Sequence, residues 1–407
     1  MALISYMLIF SSFFSSVLLS FFPSAFTYKQ YALVLVIATI IAILNYLYRN
    51  GFVISKRCFI TIFIGITVVV LYWLTPNFYD IRNENYQDVY NSFRLAITGQ
   101  TLPTVVVASL VGENHKIRTD IMKLAPIIGT IFTAIALIAA FNPTSMTSGG
   151  YALNENGLEY QTISYMAAYA SALLEYYILT RNENAHYQVF KSRLAGLVAA
   201  LLVFVNALTV LVGGGRGGFV AYILFLGFTA FLLVKRNQLS VNTLIKGFIV
   251  LVLVVIAGYW AISIAAKSSV STNGFSRILD LLSGSGDRGR NILKEKALAL
   301  FKQKPITGNG LGSVLLSMGL YSHNFFVDVL AEMGIWGLIV IVALLFYTAT
   351  KGMRLISENT ADSLWMYIFF CGFIMSIFSG YYLDQFPIWW TIAFIINHVE
   401  EIEEVDG

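Results

Sequence analysis

The sequence predicts an all-α, polytopic membrane protein, and both its composition and the length of its apolar runs lead to that class. Of its 407 residues, 57% are hydrophobic and only 12% are charged, whereas about a quarter of a typical soluble domain is charged. Apolar runs of roughly 17 residues or more recur along the chain, and a helix of about that length crosses the hydrocarbon core of a bilayer. Cys58 and Cys371 fall at or within apolar runs, so neither a disulfide nor a metal site is expected.

Twelve apolar runs qualify as candidate spans. They cover approximately Leu3–Phe22, Tyr31–Tyr48, Cys58–Leu74, Ala96–Val111, Leu124–Phe141, Thr162–Leu179, Leu194–Val212, Phe219–Val234, Gly247–Ile264, Asn324–Tyr347, Leu364–Ser379 and Phe386–Asn397. The first run lacks the basic segment and the small-residue cleavage site of a signal peptide, so we interpret it as a retained helix.

Basic residues are distributed unevenly between the two sides of this arrangement. The loops of one side hold fourteen Lys and Arg residues, and the short loops of the other side hold four, namely Lys29, Arg82, Arg94 and Arg216. Cytoplasmic loops carry the excess of positive charge in membrane proteins. Both termini are therefore predicted to be cytoplasmic, in agreement with an even number of spans.

This orientation places three polar segments outside, namely Thr75–Arg94, Asn142–Gln161 and a long segment from about Lys267 to His323. The long segment carries eight basic residues against three acidic ones. A basic outer loop is an exception to the positive-inside rule, which tolerates such exceptions only in long loops. It indicates an anionic ligand, and the alternative is a solvated loop or one docked on acidic lipid headgroups.

An amphipathic helix is predicted inside this long segment. Asp287, within a glycine-rich stretch, can cap a helix that begins beside it. Apolar residues then recur on one helical face at Leu293, Ala297, Leu300 and Phe301, so we expect the helix to lie along the membrane surface. Its N-terminus, with Arg288 and Arg290 in the same turn, suits an anion, because a guanidinium matches phosphate oxygens with two parallel hydrogen bonds.

Further polar residues precede and enter the next predicted span. His323 stands at the start of that span, and Asp328 and Glu332 follow on one helical face. A histidine at a helix end is more often a capping or packing residue than a catalyst. Asp328 is close enough to orient the imidazole, whereas Glu332 lies about 13 Å deeper at roughly 1.5 Å per residue. We expect Glu332 to be the structural partner of a buried arginine.

An arginine also stands among the five glycines of Gly213–Gly218. One interpretation of Arg216 is a snorkelling side chain in a tight hairpin. The other is a second guanidinium that faces the same outer cavity as Arg290.

Taken together, these pieces resemble the superfamily of O-antigen polymerases and O-antigen ligases. The resemblance covers roughly Leu194–Leu345 and consists of an ordered series of motifs: Arg216 in a glycine-rich turn, Arg290 opening an amphipathic helix, Pro305–Gly312, Ser322–Asn324 and Glu332–Gly337. The sequence departs from the family pattern at Gly215, where Ser or Thr is frequent, so a hydroxyl contact at that position is in doubt.

The resemblance implies a GT-C-like membrane glycosyltransferase whose donor and acceptor are oligosaccharides linked to undecaprenyl diphosphate. Arg216 and Arg290 would bind the diphosphate and stabilise its developing charge, and His323 would accept the proton of the acceptor hydroxyl. Further substrate contacts are expected from Arg288, Asn324 and Asp328. No cofactor, metal or nucleotide sugar is expected.

Within the superfamily, the polymerase is favoured over the ligase, which would pass the glycan to a lipid A core sugar. A flippase for lipid-linked oligosaccharides and a scaffolding protein are the rivals outside it. The implied location is the bacterial cytoplasmic membrane, with the site facing the periplasm or the exterior. Other expected partners are membrane lipids and a chain-length-regulating protein, with no nucleic acid. The expected divisions are N-terminal spans in 1–193, a catalytic region in 194–397 that includes outer loop 266–323, and an acidic cytoplasmic tail in 398–407.

Overall fold

In the computed structural model, the described residues are 1–22, 27–51, 53–78, 84–140, 158–181, 189–236 and 288–399, with isolated positions between 242 and 260. All regular structure in this part of the chain is helical. Most of the predicted span Gly247–Ile264, the glycine-rich stretch before Arg288, most of the segment Asn142–Gln161 and the acidic tail lie outside the described residues.

Fifteen α-helices follow one another through the described residues. They are α1 (Ala2–Ile9), α2 (Ser11–Phe21), α3 (Tyr28–Arg49), α4 (Lys56–Leu74), α5 (Glu84–Ala96), α6 (Leu102–Gly112), α7 (His115–Ala140), α8 (Tyr160–Thr180), α9 (Arg193–Gly213), α10 (Arg216–Lys235), α11 (Arg288–Gln303), α12 (Ser313–Met318), α13 (Phe325–Glu358), α14 (Ser363–Phe378) and α15 (Phe386–Asn397). A π-helical turn, Ile97–Thr101, joins α5 to α6, and short 3-10 turns cover Thr75–Phe78, Thr360–Asp362 and Tyr382–Asp384.

The length and apolarity of these helices confirm a multi-pass membrane protein. Eight described helical segments are long and apolar enough to cross a bilayer, or nine if α1 and α2, which are bent by 83° at their junction, form one broken span. Predicted spans Thr162–Leu179 and Phe386–Asn397 are also helices, namely α8 and the shorter α15. The count of twelve stays a prediction.

Burial separates an enclosed set of helices from a lipid-facing set. The interior of the bundle contains α8, which packs against α7, α9, α10 and α14. Small residues permit this close approach. Because Gly129 on α7 has no side chain, the side chain of Leu174 on α8 can pack there. By contrast, α3 and α4 expose large apolar side chains such as Ile41 (62% exposed) and Phe63 (60%). In a membrane protein such faces contact lipid.

Helix α13 is broken near its start, and the preceding loop docks into the break. Gly334 has φ 65° and ψ −164°, which is not helical. The carbonyl oxygens of Ala331 and Glu332 accept the amides of Asn309 and Gly310 at 3.0 and 2.8 Å, and the amide of Ile335 donates to Pro305 at 2.9 Å. Irregular backbone at membrane depth requires such internal partners. The segments Pro305–Gly312 and Glu332–Gly337 are therefore bonded to each other, and we call this contact the joint.

This joint generates a prediction for Gly308, which has φ 71°. A Cβ at this position would overlap backbone atoms of Glu332 and Met333, which cannot move aside as a side chain could. Gly308→Ala is therefore expected to lower the melting temperature of the detergent-purified protein substantially. The control is Gly51→Ala, because Gly51 has φ 62° and a Cβ added there would meet nothing within 4 Å. That variant bears only the strain of left-handed backbone, about 1–2 kcal/mol. Equal losses in the two variants would contradict close packing at the joint.

Candidate functional site

Glu332 lies inside the joint, and its carboxylate accepts hydrogen bonds from four donors. Its Oε2 accepts the Gly312 amide at 2.7 Å and the hydroxyls of Tyr381 and Tyr382 at 2.7 and 2.8 Å, and its Oε1 accepts the Val314 amide at 3.2 Å. The expectation of a buried arginine partner is wrong. The carboxylate is instead satisfied by backbone amides and tyrosine hydroxyls, which carry no charge and so bring no second ion to be desolvated. Glu332 thereby ties α13 to the start of α12 and to the turn between α14 and α15.

The segment before α13 holds His323 in an unusual backbone conformation. Among the described residues, His323 is the one non-glycine residue with a positive φ, 57°. The Asp328 carboxylate accepts the Ser322 amide at 2.9 Å, and the Asn324 side chain caps α13 by accepting the Val327 amide at 3.2 Å. Backbone strain of this kind is concentrated at functional sites.

These contacts change the roles expected for two residues. Asp328 does not orient the imidazole directly, because its carboxylate reaches back to the backbone on the other side of His323. It fixes the loop that carries the histidine. Asn324, expected to contact substrate, acts as a helix cap in this structure.

Arg216 is the first residue of α10, directly after a turn that packs on α8. The Gly215 amide donates to the Ser164 hydroxyl at 2.9 Å, and a Cβ at Gly213, Gly215 or Gly218 would overlap atoms of Ser164. The glycines therefore serve helix packing. A hydroxyl group does contact the backbone before Arg216. It belongs to Ser164 of α8 and not to a residue of the turn.

A chain of contacts joins this turn to His323. Gly217 lies against the Tyr165 hydroxyl, which hydrogen-bonds the Ser379 hydroxyl at 3.1 Å. The Ser379 carbonyl accepts the Tyr321 hydroxyl at 2.9 Å. The rings of Tyr321 and His323 then lie 4.4 Å apart between centroids. The N-termini of α10 and α13 and the C-terminus of α14 thus meet at one end of the bundle.

Arg290 belongs to the same region. It lies in the first turn of α11, and its charge acts on the hydroxyls of both Tyr165 and Tyr321. Burial is the main cause that raises the pKa of Tyr321, with the negative charges of Asp384, Asp328 and Glu159 adding to it, whereas Arg290 acts in the opposite direction. The charge of Arg290 therefore reaches two tyrosines on the contact path between the turn of Arg216 and His323.

The predicted amphipathic helix is confirmed as α11, but its apolar face packs on protein. Ala297 is fully buried with Val314 of α12 and Ala331 of α13, and Leu300 packs beside them. Its lysines at 296 and 302 are exposed. Arg288 is the first residue of α11, and its side chain lies outside the described part of the chain.

Sequence reasoning missed the turn between α14 and α15 and the residues that adjoin it. Tyr321, Ser379, Tyr381, Tyr382 and Asp384 all belong to this region. A signal was present, because the short stretch from Ser379 to Gln385 between two predicted spans contains five polar or tyrosine side chains. Their meeting with α13 depends on the tertiary fold.

The protein is a multi-pass membrane protein whose described part is helical and carries a polar cluster at one end of the bundle. The chain matches no protein-family model and no curated protein.

A prediction follows for Glu332→Gln. The substituted amide nitrogen cannot accept hydrogen bonds, so at least one of the four buried donors loses its partner, at a cost of about 1–3 kcal/mol. The melting temperature in detergent should fall clearly. In the control, Glu358→Gln, an exposed ion pair with Arg354 is lost and a change of about 0.5 kcal/mol or less is expected. Indistinguishable melting curves for the two variants would show that the Glu332 contacts do not support the fold.

Proposed function

We propose that this chain is a glycosyltransferase that polymerises oligosaccharide repeat units linked to undecaprenyl diphosphate, on the outer face of the bacterial cytoplasmic membrane. The product would be an O-antigen or a capsular polysaccharide. The observation that carries the proposal is the contact path from Gly217 through Tyr165, Ser379 and Tyr321 to His323. It brings the turn that carries Arg216 to the same end of the bundle as His323.

The proposed chemistry assigns one role to each of these groups. Arg290 and Arg216 bind the diphosphate of the donor and stabilise the negative charge that grows as it leaves. Fixed cations aimed at developing charge lower a barrier without reorganisation. The acceptor hydroxyl attacks the anomeric carbon of the donor, a new carbon–oxygen bond forms as the bond to the diphosphate breaks, and the hydroxyl proton passes to His323. Attack opposite the leaving group inverts the anomeric configuration.

The proposed reaction needs a scaffold that holds Arg290 and His323 in fixed positions relative to each other. The joint at Gly334 fixes α11, which carries Arg290, against α13, which follows His323. Small displacements of such groups are costly to catalysis, because reacting atoms must be held close to the geometry of attack. The described contacts are consistent with such pre-organisation.

The deciding experiment is a gel of surface and lipid-linked glycans from the native host with this chain deleted. We expect single repeat units on the final acceptor, with loss of the ladder of longer chains. Full-length chains stranded on the carrier lipid would instead identify a ligase. Repeat units trapped on the cytoplasmic side would identify a flippase and contradict an enzymatic role.

A second prediction concerns the two arginines. Arg290→Lys and Arg216→Lys should each lower glycan transfer by at least about tenfold, because an ammonium cannot form the paired hydrogen bonds of a guanidinium with phosphate. The assay is polymer formation in membranes that contain equal amounts of each variant.

The matched control for both variants is Arg354→Lys, since the Arg354 side chain is 69% exposed in a surface ion pair. It should retain wild-type transfer. Full activity in Arg290→Lys or Arg216→Lys would remove that residue from the diphosphate site.

A further inference from the structure

We propose that Asp384 and Tyr28 form the subsite for the acceptor sugar, beside Tyr321 and apart from the arginines. This inference rests on the proposed function, because it assigns the second substrate of that reaction to a place in the fold. The ligand class is a neutral, hydroxyl-bearing sugar ring. The sequence offered no motif for acceptor recognition, and the subsite is built from two distant parts of the chain.

Asp384 lies in the 3-10 turn Tyr382–Asp384 between α14 and α15. It is partly exposed, and its Oδ1 accepts the Gln385 side-chain amide at 2.8 Å. Leu383, the residue before it, accepts the Thr101 hydroxyl at 2.8 Å through its carbonyl. This bond attaches the Asp384 turn to the π-helical turn of the N-terminal half.

The π-helical turn that bonds Leu383 also holds Tyr28. The fully buried Gln100 accepts the Ser11 hydroxyl at 2.9 Å and donates to the Tyr28 hydroxyl at 2.7 Å. Because Gln100 supplies the proton of that bond, the proton of the Tyr28 hydroxyl is left for another acceptor. The charge of Asp384 acts on this same hydroxyl. π-helical turns are frequent at functional sites, and Gln100 lies within one.

The charges in this region separate two kinds of ligand. Arg290 and Asp384 both act on Tyr321, but Arg290 also acts on Tyr165, whereas Asp384 acts on Tyr28 and Tyr72. The Tyr321 hydroxyl is thus within electrostatic reach of both a cation and a carboxyl group. A diphosphate is attracted to the first and repelled by the second. A neutral sugar can donate its hydroxyls to the carboxylate and accept from Tyr28 without an electrostatic cost.

The position also suits the proposed reaction. Tyr321 lies against His323, with 4.4 Å between their ring centroids. Its ring centroid is also 6.3 Å from that of Tyr381, whose carbonyl accepts the Asp384 amide at 3.1 Å. Burial raises the pKa of Asp384 to about 7, with the Gln385 amide acting in the other direction. Among the described residues, the charge of Asp384 also acts on Tyr28, Tyr72, Tyr321 and Asp328.

The test uses two inhibitors of polymer formation by the full-length protein in lipid nanodiscs. The substrate is the lipid-linked repeat unit extracted from the deletion host. The free repeat-unit oligosaccharide, which lacks a diphosphate, competes at the acceptor subsite, and inorganic pyrophosphate competes at the arginines. Asp384→Asn should raise the inhibition constant of the oligosaccharide about tenfold, as expected for loss of a hydrogen bond to a charged group, and leave that of pyrophosphate unchanged.

Tyr28→Phe is a second test variant, because it keeps the ring and removes only the hydroxyl. It should raise the inhibition constant of the oligosaccharide about threefold. The control is Asp88→Asn, since Asp88 is exposed on α5, and both constants should stay at the wild-type value. The subsite would be contradicted if the wild-type protein is active and neither Asp384→Asn nor Tyr28→Phe changes the inhibition constant of the oligosaccharide. Equal shifts of the constants of both inhibitors would also contradict it. A wild-type protein that forms no polymer would instead overturn the proposed function itself.

Discussion

The bonding of the broken backbone at Gly334 is the constraint on which the described site depends. A helix that breaks within a membrane protein exposes carbonyl and amide groups that lipid cannot satisfy. Here the loop between α11 and α12 supplies the missing partners, and Glu332 holds the start of α12 and two tyrosines from the far end of the chain. One local defect therefore fixes the start of α13 against the segment 305–314 and against the turn at Tyr381 and Tyr382.

This arrangement explains why irregular backbone and polar residues occur at the same end of the bundle. The turn before Arg216, the left-handed His323, the π-helical turn and the 3-10 turn at Asp384 all lie at or beside helix ends. The enclosed helices, α8 above all, contribute hydroxyls from Ser164 and Tyr165 to that end. Regular helices supply the rigidity, and their ends supply the groups that can meet a ligand.

Tyrosine and serine hydroxyls make up most of the described polar cluster, and the charges of Arg290 and Asp384 both act on Tyr321. In the proposed reaction, the anionic donor would meet the first of these charges and the neutral acceptor the second. Tyrosines suit this cluster, because their rings pack in an apolar setting while their hydroxyls bond to neighbours.

The sequence by itself determined the fold class, most helix positions and the amphipathic character of α11, because hydrophobic run length and periodicity are local properties. It also singled out Arg216, Arg290 and His323, whose roles remain a proposal. Only the tertiary structure decided that Glu332 binds tyrosines instead of an arginine, that Asp328 fixes backbone, and that the 379–385 turn reaches both halves of the chain. The Asp328 contact spans only six positions, but the others join residues tens to hundreds of positions apart, and no local pattern encodes which helix ends will meet.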